Sequence, residues 1–325
     1  MTRQPERQQN QITVIGAGFM GTVIATIYAR HGYDVVLHDS NAQALASYGA
    51  RAAPIAESLV TAGVTVANIL ERVRTADDLA DAVAGSFMVH EVAQEDLGVK
   101  QALFSQLDSL CGPEVVLATN TSSFLLTSLC EGVNHRERVV GIHYITPAHI
   151  IKAVEIIHAD FTPPALIEWA QNFLTTIDHV GVVCRESPGF LVNRVQMAML
   201  AEIHRMVDEG LATAADIDAA VRLSIGPRLA LWGPLLTEDL VVHKKTALAV
   251  MAYMEEKTGS EANAPTATLK NLVADGKAGA ISGEGWYQWS DDYDGIVRER
   301  DQQLADALAW FEQRDGMAAI GLRNH

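Results

Sequence analysis

The chain has 325 residues, 49% of them apolar, which suits one large α/β unit plus a smaller second unit and argues against intrinsic disorder. Lys and Arg number 24 against 40 Asp and Glu, a formal net charge of −16. That balance excludes nucleic acid and anionic membrane as expected partners, and leaves any anionic ligand to a local device such as a helix N-terminus.

The N-terminal stretch MTRQPERQQNQ is polar and lacks the apolar segment of a signal peptide, and no run is long enough to span a bilayer, so a cytoplasmic protein is expected. In chain order, Ile12–Ile15 reads as a strand, Phe19–His31 as a helix and Asp34–His38 as a second strand. This opening predicts a doubly wound, mostly parallel sheet. Further strands are expected at Ser86–Val92, Val115–Thr119, Val139–Ile145, Ala153–Ile157 and Gly181–Val183, with helices at Asp96–Leu110 and Ala165–Thr176 between them. After Cys184 the pattern changes to helices: Leu191–Glu209, Ala214–Ser224, Leu235–Lys257 and a solvated final helix from Asp291 through Phe311. Gly226-Pro227 and Trp232-Gly233-Pro234 read as the breaks between them. The expected architecture is therefore an α/β domain over 1–186 followed by an all-helical domain over 187–325. The three cysteines, Cys111, Cys130 and Cys184, lack metal-ligand spacing and read as structural thiols, and no metal is expected.

The strongest short signal is Gly16-Ala17-Gly18-Phe19-Met20-Gly21 at the end of the first strand. Gly16 permits a tight turn, Gly18 lets a pyrophosphate approach the backbone, and Gly21 lets helix and strand pack closely. Asp39 ends the second strand, where a carboxylate accepts hydrogen bonds from ribose hydroxyls and disfavours a 2′-phosphate; a plain turn residue is the other reading. No Arg occurs in the ten residues after Asp39, so NAD is expected over NADP.

Four further residues carry possible chemistry, each with an ordinary alternative. Ser122 in TNTSSF is also a candidate cap for a helix near Leu125, His143 a satisfied strand histidine, Glu155 a surface carboxylate, and Asn193 a solvent-facing amide. His143 and Glu155 both fall in apolar strand runs, where an unpaired polar group is costly. A carboxylate beside a histidine also yields a base held in one tautomer.

From Ile12 to about Trp289 the chain resembles the 3-hydroxyacyl-CoA dehydrogenase family. The resemblance rests on GAGFMG, EVAQEDLGVK, ATNTSS, GIHY followed by Pro147, KAVEII, SPGFLVNR, DEGLATAADID and SGEGWYQW, in the family's order. It implies a Rossmann-type domain followed by a helical dimerisation domain, NAD as cofactor and a homodimer. It implies His143 as catalytic base with Glu155 orienting it, Ser122 and Asn193 on the substrate oxygen, and Glu95 and Lys100 near the nicotinamide ribose.

Departures from the family bear on substrate. Acyl-CoA members carry HFFNP after the catalytic strand; here His143-Tyr144-Ile145-Thr146-Pro147 puts Thr146 at the Asn position. The P-x-GP…D-x-x-GLD segment of the helical domain keeps Asp239 but has Val242, His243 and Lys244 for GLD. The pattern around Arg228 is similar to the branches that act on free carboxylates, the L-gulonate 3-dehydrogenase (lambda-crystallin) group and the L-carnitine dehydrogenases, and the PAHII stretch is similar to a dehydrogenase of a pyridine carboxylate. Residues 41–81 carry Arg51, Arg72 and Arg74 but no Lys, thin provision for a nucleotide diphosphate. Arginine suits a carboxylate because its planar fork binds both oxygens; a salt bridge within the helical domain is the alternative for Arg228. The expected activity is NAD-dependent oxidation of the 3-hydroxyl of a small L-3-hydroxy carboxylate. The alternatives are a 3-hydroxyacyl-CoA substrate, and a non-catalytic NAD-binding structural protein.

Overall fold

The computed structural model describes residues 10–313; the polar start of the chain, residues 1–9, lies outside them. Eight strands form one sheet: β1 (Gln11–Ile15), β2 (Asp34–His38), β3 (Val73–Ala76), β4 (Met88–Glu91), β5 (Val116–Thr119), β6 (Val139–Tyr144), β7 (Ala153–His158) and β8 (Val180–Arg185). Their order is β3-β2-β1-β4-β5-β6-β7-β8. All neighbours run parallel except β6 and β7, which are antiparallel. The connection from β3 back to β4 places β4 on the other side of β1, so the direction of winding reverses between β1 and β4. The carboxyl ends of those strands therefore frame the crevice in which such sheets bind ligands.

The central strands are buried on both faces, so they read as continuous apolar runs; Ile12, Val14, Leu37, Met88, Leu117 and Ile142 are fully enclosed. The helix Phe19–Arg30 follows β1 and buries every residue from Gly21 to Ala29. β3 escaped sequence reading because this edge strand buries only Ala76 and shows no alternation. The helix Tyr48–Ser58 was hidden by Pro54 in its interior, a residue that removes an N–H and normally breaks the pattern.

The chain divides into two compact units, Met1–Ala201 and Glu202–His325. The strands end where the sequence places a boundary, near Glu186. The helix Val192–Asp208 nevertheless begins in the first unit, because its first residues are hydrogen-bonded to the sheet, as described below.

The second unit is helical among its described residues apart from isolated bridges. Gly226-Pro227 does not end the helix beginning at Ala214. A wide π turn over Val221–Ile225 absorbs the missing proline N–H, and the path continues through Gly226–Trp232. The segment expected as one helix over Leu235–Lys257 is instead two, Pro234–Val241 and Lys244–Thr258, broken at Val242 and His243. The break lets Lys244 turn inward to pair with buried Asp239, whose carboxylate also accepts Trp286 N at 3.1 Å, Tyr287 N at 3.1 Å and Trp289 Nε1 at 3.0 Å. The SGEGWYQW motif is thus fastened to Asp239.

Candidate active site

The loop after β1 is shaped by its glycines. Gly16 has φ +108°, and a Cβ there would lie 2.5 Å from Val92 O; a Cβ on Gly21 would overlap Gly16 O. Gly18 is different: a Cβ on it would meet nothing within 4 Å, so its open side faces space rather than protein. The helix that follows has no acidic residue in its first turn and no side-chain cap, and its N–H groups are left for an anion. Phe19 is exposed, and Met20 Sδ accepts Thr146 Oγ1 at 3.3 Å. Asp39 Oδ2 accepts Ala17 N at 2.6 Å and its Oδ1 accepts Asn41 N at 2.8 Å. Each carboxylate oxygen keeps a further lone pair for a ribose hydroxyl. These residues fit a dinucleotide.

Four strands along, the antiparallel register of β6 and β7 sets His143 directly opposite Glu155. Both are enclosed, at 4% and 1% exposure, so neither is a surface group. His143 Nδ1 lies 2.7 Å from Glu155 Oε2. Glu155 Oε1 accepts Leu191 N at 2.9 Å and Val192 N at 2.8 Å, where the chain turns into the helix Val192–Asp208. Burial alone would raise the Glu155 carboxyl, but the His143 contact and these two N–H groups hold it below its ordinary value of 4.5. A charged acceptor there fixes the proton on Nδ1 and leaves the Nε2 lone pair on the opposite side of the ring.

That side holds Ser122, whose Oγ is 3.1 Å from His143 Nε2. Ser122 caps no helix; the short helix Leu126–Leu129 has no side-chain cap. Asn193 Nδ2 donates to Ser122 O at 3.2 Å, which leaves its amide a second N–H. Ser122, His143, Glu155 and Asn193 therefore form one connected group; burial sets aside the surface reading of Glu155, and the uncapped helix sets aside the capping reading of Ser122.

Behind Ser122 lies a buried ionic cluster. Lys100, 1% exposed, contacts Glu91 Oε1 at 2.6 Å, Ala93 O at 3.2 Å and Glu95 Oε2 at 3.3 Å. Glu95 Oε1 accepts Thr121 Oγ1, Ser122 N and Ser123 Oγ at 2.7, 3.0 and 2.8 Å. Glu91 was missed in the sequence; the signal was a carboxylate following His90 at the end of an apolar strand. His90 itself is enclosed, with Nδ1 2.8 Å from Tyr28 Oη and Nε2 3.1 Å from Ile142 O.

Arg228 belongs to the second unit. Its Nε donates to Ser224 O at 2.8 Å, and no ion pair of its guanidinium is recorded among the described residues. Arg51 donates to Gly18 O, Thr22 Oγ1 and Ala44 O, Arg72 pairs with Asp34, and Arg74 pairs with Asp81. The three cysteines are free, and burial pushes the Cys130 thiol up to about 12 and that of Cys184 to about 11. Among the described residues no three His, Cys, Asp or Glu side chains are gathered for a metal, and no helix is long and apolar enough to cross a membrane.

The family model for the 3-hydroxyacyl-CoA dehydrogenase NAD binding domain matches residues 11–187, and that for the C-terminal domain of the same family matches 189–289. The chain belongs to the 3-hydroxyacyl-CoA dehydrogenase family. It is 32% identical to human mitochondrial hydroxyacyl-coenzyme A dehydrogenase over 287 residues, 86% of this chain and 90% of that protein. It is 29% identical to the 5-formyl-3-hydroxy-2-methylpyridine 4-carboxylate 5-dehydrogenase of Mesorhizobium japonicum over 311 residues, 94% of this chain and 99% of that one. The crystal structure of a 3-hydroxyacyl-CoA dehydrogenase from Archaeoglobus fulgidus superposes with a TM-score of 0.77 at 26% identity, covering 93% of this chain and 99% of the other. The chain is thus an NAD-dependent oxidoreductase of this family.

Proposed function

We propose that this family member oxidises the 3-hydroxyl of a small L-3-hydroxy carboxylate, with His143 as the base. The observation that carries the reading is the line from Glu155 through His143 to Ser122, with its 2.7 and 3.1 Å contacts. Gly16, Gly18, Phe19, Met20 and Gly21 would hold the NAD pyrophosphate, Asp39 and Glu95 its riboses. Bound there, NAD supplies the acceptor for the hydride lost from the carbinol carbon.

The chain's own residues deal with the proton. Glu155 keeps a proton on His143 Nδ1, and Nε2 takes the hydroxyl proton as the carbon–oxygen bond becomes double. The imidazolium so formed is stabilised by the Glu155 carboxylate. Ser122 Oγ and the second N–H of Asn193 orient the substrate oxygen.

The free-carboxylate reading draws on three observations. Arg51, Arg72 and Arg74 already have protein partners, and no Lys occurs in residues 41–81 to meet a diphosphate. Arg228 leaves both terminal guanidinium nitrogens without a protein partner among the described residues, which suits it as the carboxylate-binding arginine. The Mesorhizobium relative, by its name, acts on a pyridine carboxylate. An acyl-CoA substrate is the second reading, favoured by the name of the human relative.

A homodimer fits the helical part. The 17-residue helix Val192–Asp208 buries no side chain, and Val195, Met199 and Val207, which lie on one side of it at helical spacing, are 60, 44 and 48% exposed. An apolar face of this kind is covered in a stable protein, and a second copy is the occupant proposed.

His143→Gln tests the chemistry. Turnover falls by roughly two to four orders of magnitude, the usual worth of a positioned base, while NADH affinity measured by fluorescence titration stays within about threefold. Near-normal turnover removes His143 from the mechanism.

A further inference from the structure

Phe190 lies in the turn between β8 and the helix Val192–Asp208, with a backbone that its own side chain opposes. Its φ is +49°, after Gly189 at +76°. Among the described residues Asp178 is the only other non-glycine with a positive φ. Aspartate tolerates that region, but a bulky side chain persists there only where its surroundings impose it, and such outliers gather at functional sites. A second glycine would make the same turn without strain. The sequence has a phenylalanine instead, 2% exposed, in one apolar cluster with Ile15, Leu126, Val139 and Ile157.

That placement reaches both members of the His143–Glu155 pair. The turn is closed by Phe190 N, which donates to Ser187 O at 2.9 Å, and the next two N–H groups, those of Leu191 and Val192, converge on Glu155 Oε1. Successive N–H groups in such a turn make a concavity that holds an anionic oxygen. The phenyl ring lies against His143, with centroids 5.9 Å apart and planes at 60°, within the range of a favourable aromatic pair.

We infer that Phe190 is a positioning residue, which fixes Glu155 through the turn it anchors and His143 through its ring, so that Nε2 stays aimed at Ser122. This rests on the reading of His143 as the base given above.

The imidazole is held by Glu155 at one atom, Nδ1, and a single hydrogen bond leaves a ring free to tilt about it. The phenyl ring restricts that tilt from the side. Removing it also frees the backbone to relax toward negative φ, and the two donors on Glu155 Oε1 then leave together. A displacement of about 1 Å at a reacting group costs about a hundredfold in rate.

The test is Phe190→Leu, which keeps the position apolar and removes the flat ring, with Phe190→Met as a more pliable filling. The control is Phe173→Leu, the same change at a buried phenylalanine whose ring partners are Tyr28, Tyr33, Phe87 and Trp169. Rates are read as NADH formation from free 3-hydroxybutyrate and from 3-hydroxybutyryl-CoA, per NADH-binding site. Phe190→Leu is expected to lower kcat roughly ten- to a hundredfold, with KM and NADH affinity within about threefold, because the contact acts on transition-state geometry. Phe173→Leu should lower Tm comparably and leave kcat within about twofold of wild type.

A second readout needs no substrate. In NMR spectra of protein carrying isotope-labelled histidine, the His143 Nδ1 proton is identified by its absence from His143→Gln. Its resonance should be single and sharp in the wild type and in Phe173→Leu, and broadened or lost in Phe190→Leu. Wild-type kcat in a folded Phe190 variant, an unchanged Nδ1 resonance, or an equal loss of kcat in Phe173→Leu would overturn the inference. Failure of both Phe190 variants to fold while Phe173→Leu folds would do the same, since Phe190 would then be a core residue alone. If Phe190→Leu keeps full rate while His143→Gln loses it, this inference fails and the proposed function stands. Full rate in His143→Gln would bring down both.

Discussion

Glu155→Gln is the sharpest test of the proton-transfer geometry, because it replaces one oxygen by an NH2 group and the structure dictates where that group turns. In the native site Oε1 receives two backbone donors, Leu191 N and Val192 N, and Oε2 receives the Nδ1 proton of His143. A glutamine has one oxygen and one NH2. Two converging N–H groups require the oxygen, so the NH2 is turned toward His143. It donates to Nδ1, which must then be unprotonated, and the ring proton moves to Nε2 on the Ser122 side. The nitrogen meant to accept a proton now carries one.

The same tautomer fault in a serine-protease triad costs about 10⁴ in kcat, and general-base losses span roughly 10² to 10⁴. A loss of about 10³ is therefore expected here, which at 1.36 kcal/mol per tenfold is about 4 kcal/mol of barrier. The assay is the initial rate of NADH formation, with NADH affinity as the control, and affinity should be unchanged within about threefold. Glu155→Asp should recover only part of the rate, since it restores charge but not reach. A Glu155→Gln enzyme within about threefold of wild-type kcat would refute the tautomer argument.

Two other outcomes follow from the same structure. Asp39→Ser combined with Ser40→Arg should move cofactor preference toward NADP, read as the ratio of kcat/KM for the two cofactors; equal use of both by the wild type would remove Asp39 from the ribose site. For pH, burial lowers His90 from 6.5 to about 3, so the folded protein keeps it neutral while the unfolded chain takes up a proton. Its contribution to stability is complete above pH 6.5 and is lost progressively as pH falls from 6.5 toward about 3. Urea denaturation of His90→Asn should show lower stability at neutral pH and a flatter decline on acidification; an unchanged slope would contradict the assignment.

The first unit was readable where local chemistry and burial agree. The turn at Gly16 needs a positive φ, and the run Val35–Leu37 is enclosed on both faces, so β1, its helix and β2 announce themselves. β3 gave no sign because an edge strand needs little apolar surface, and Tyr48–Ser58 gave none because Pro54 contradicts the helix it sits in. In the second unit Gly226-Pro227 punctuates the sequence but not the chain, since a π turn absorbs the defect. The helix that periodicity joins is broken at Val242 and His243, and the break brings Lys244 onto Asp239, a contact visible only in three dimensions.

The candidate site was legible in residue type and resemblance, but not in connection. Nothing in the spacing of His143 and Glu155 shows that β7 turns back antiparallel to set them opposite each other. Glu91 looked like one more strand residue until Lys100 and Thr119 closed around it.

The central claim is tested most directly by comparing kcat/KM for free 3-hydroxybutyrate, carnitine and gulonate with that for 3-hydroxybutyryl-CoA, in the wild type and in Arg228→Ala. The proposed function predicts that a free acid is the best of the four. It also predicts that Arg228→Ala raises KM for that acid about ten- to a hundredfold, the loss of a charged hydrogen-bond partner worth roughly 1.5–3 kcal/mol, while KM for NAD stays nearly constant. Efficient turnover of 3-hydroxybutyryl-CoA, unaffected by Arg228→Ala and exceeding that of every free acid, would contradict it.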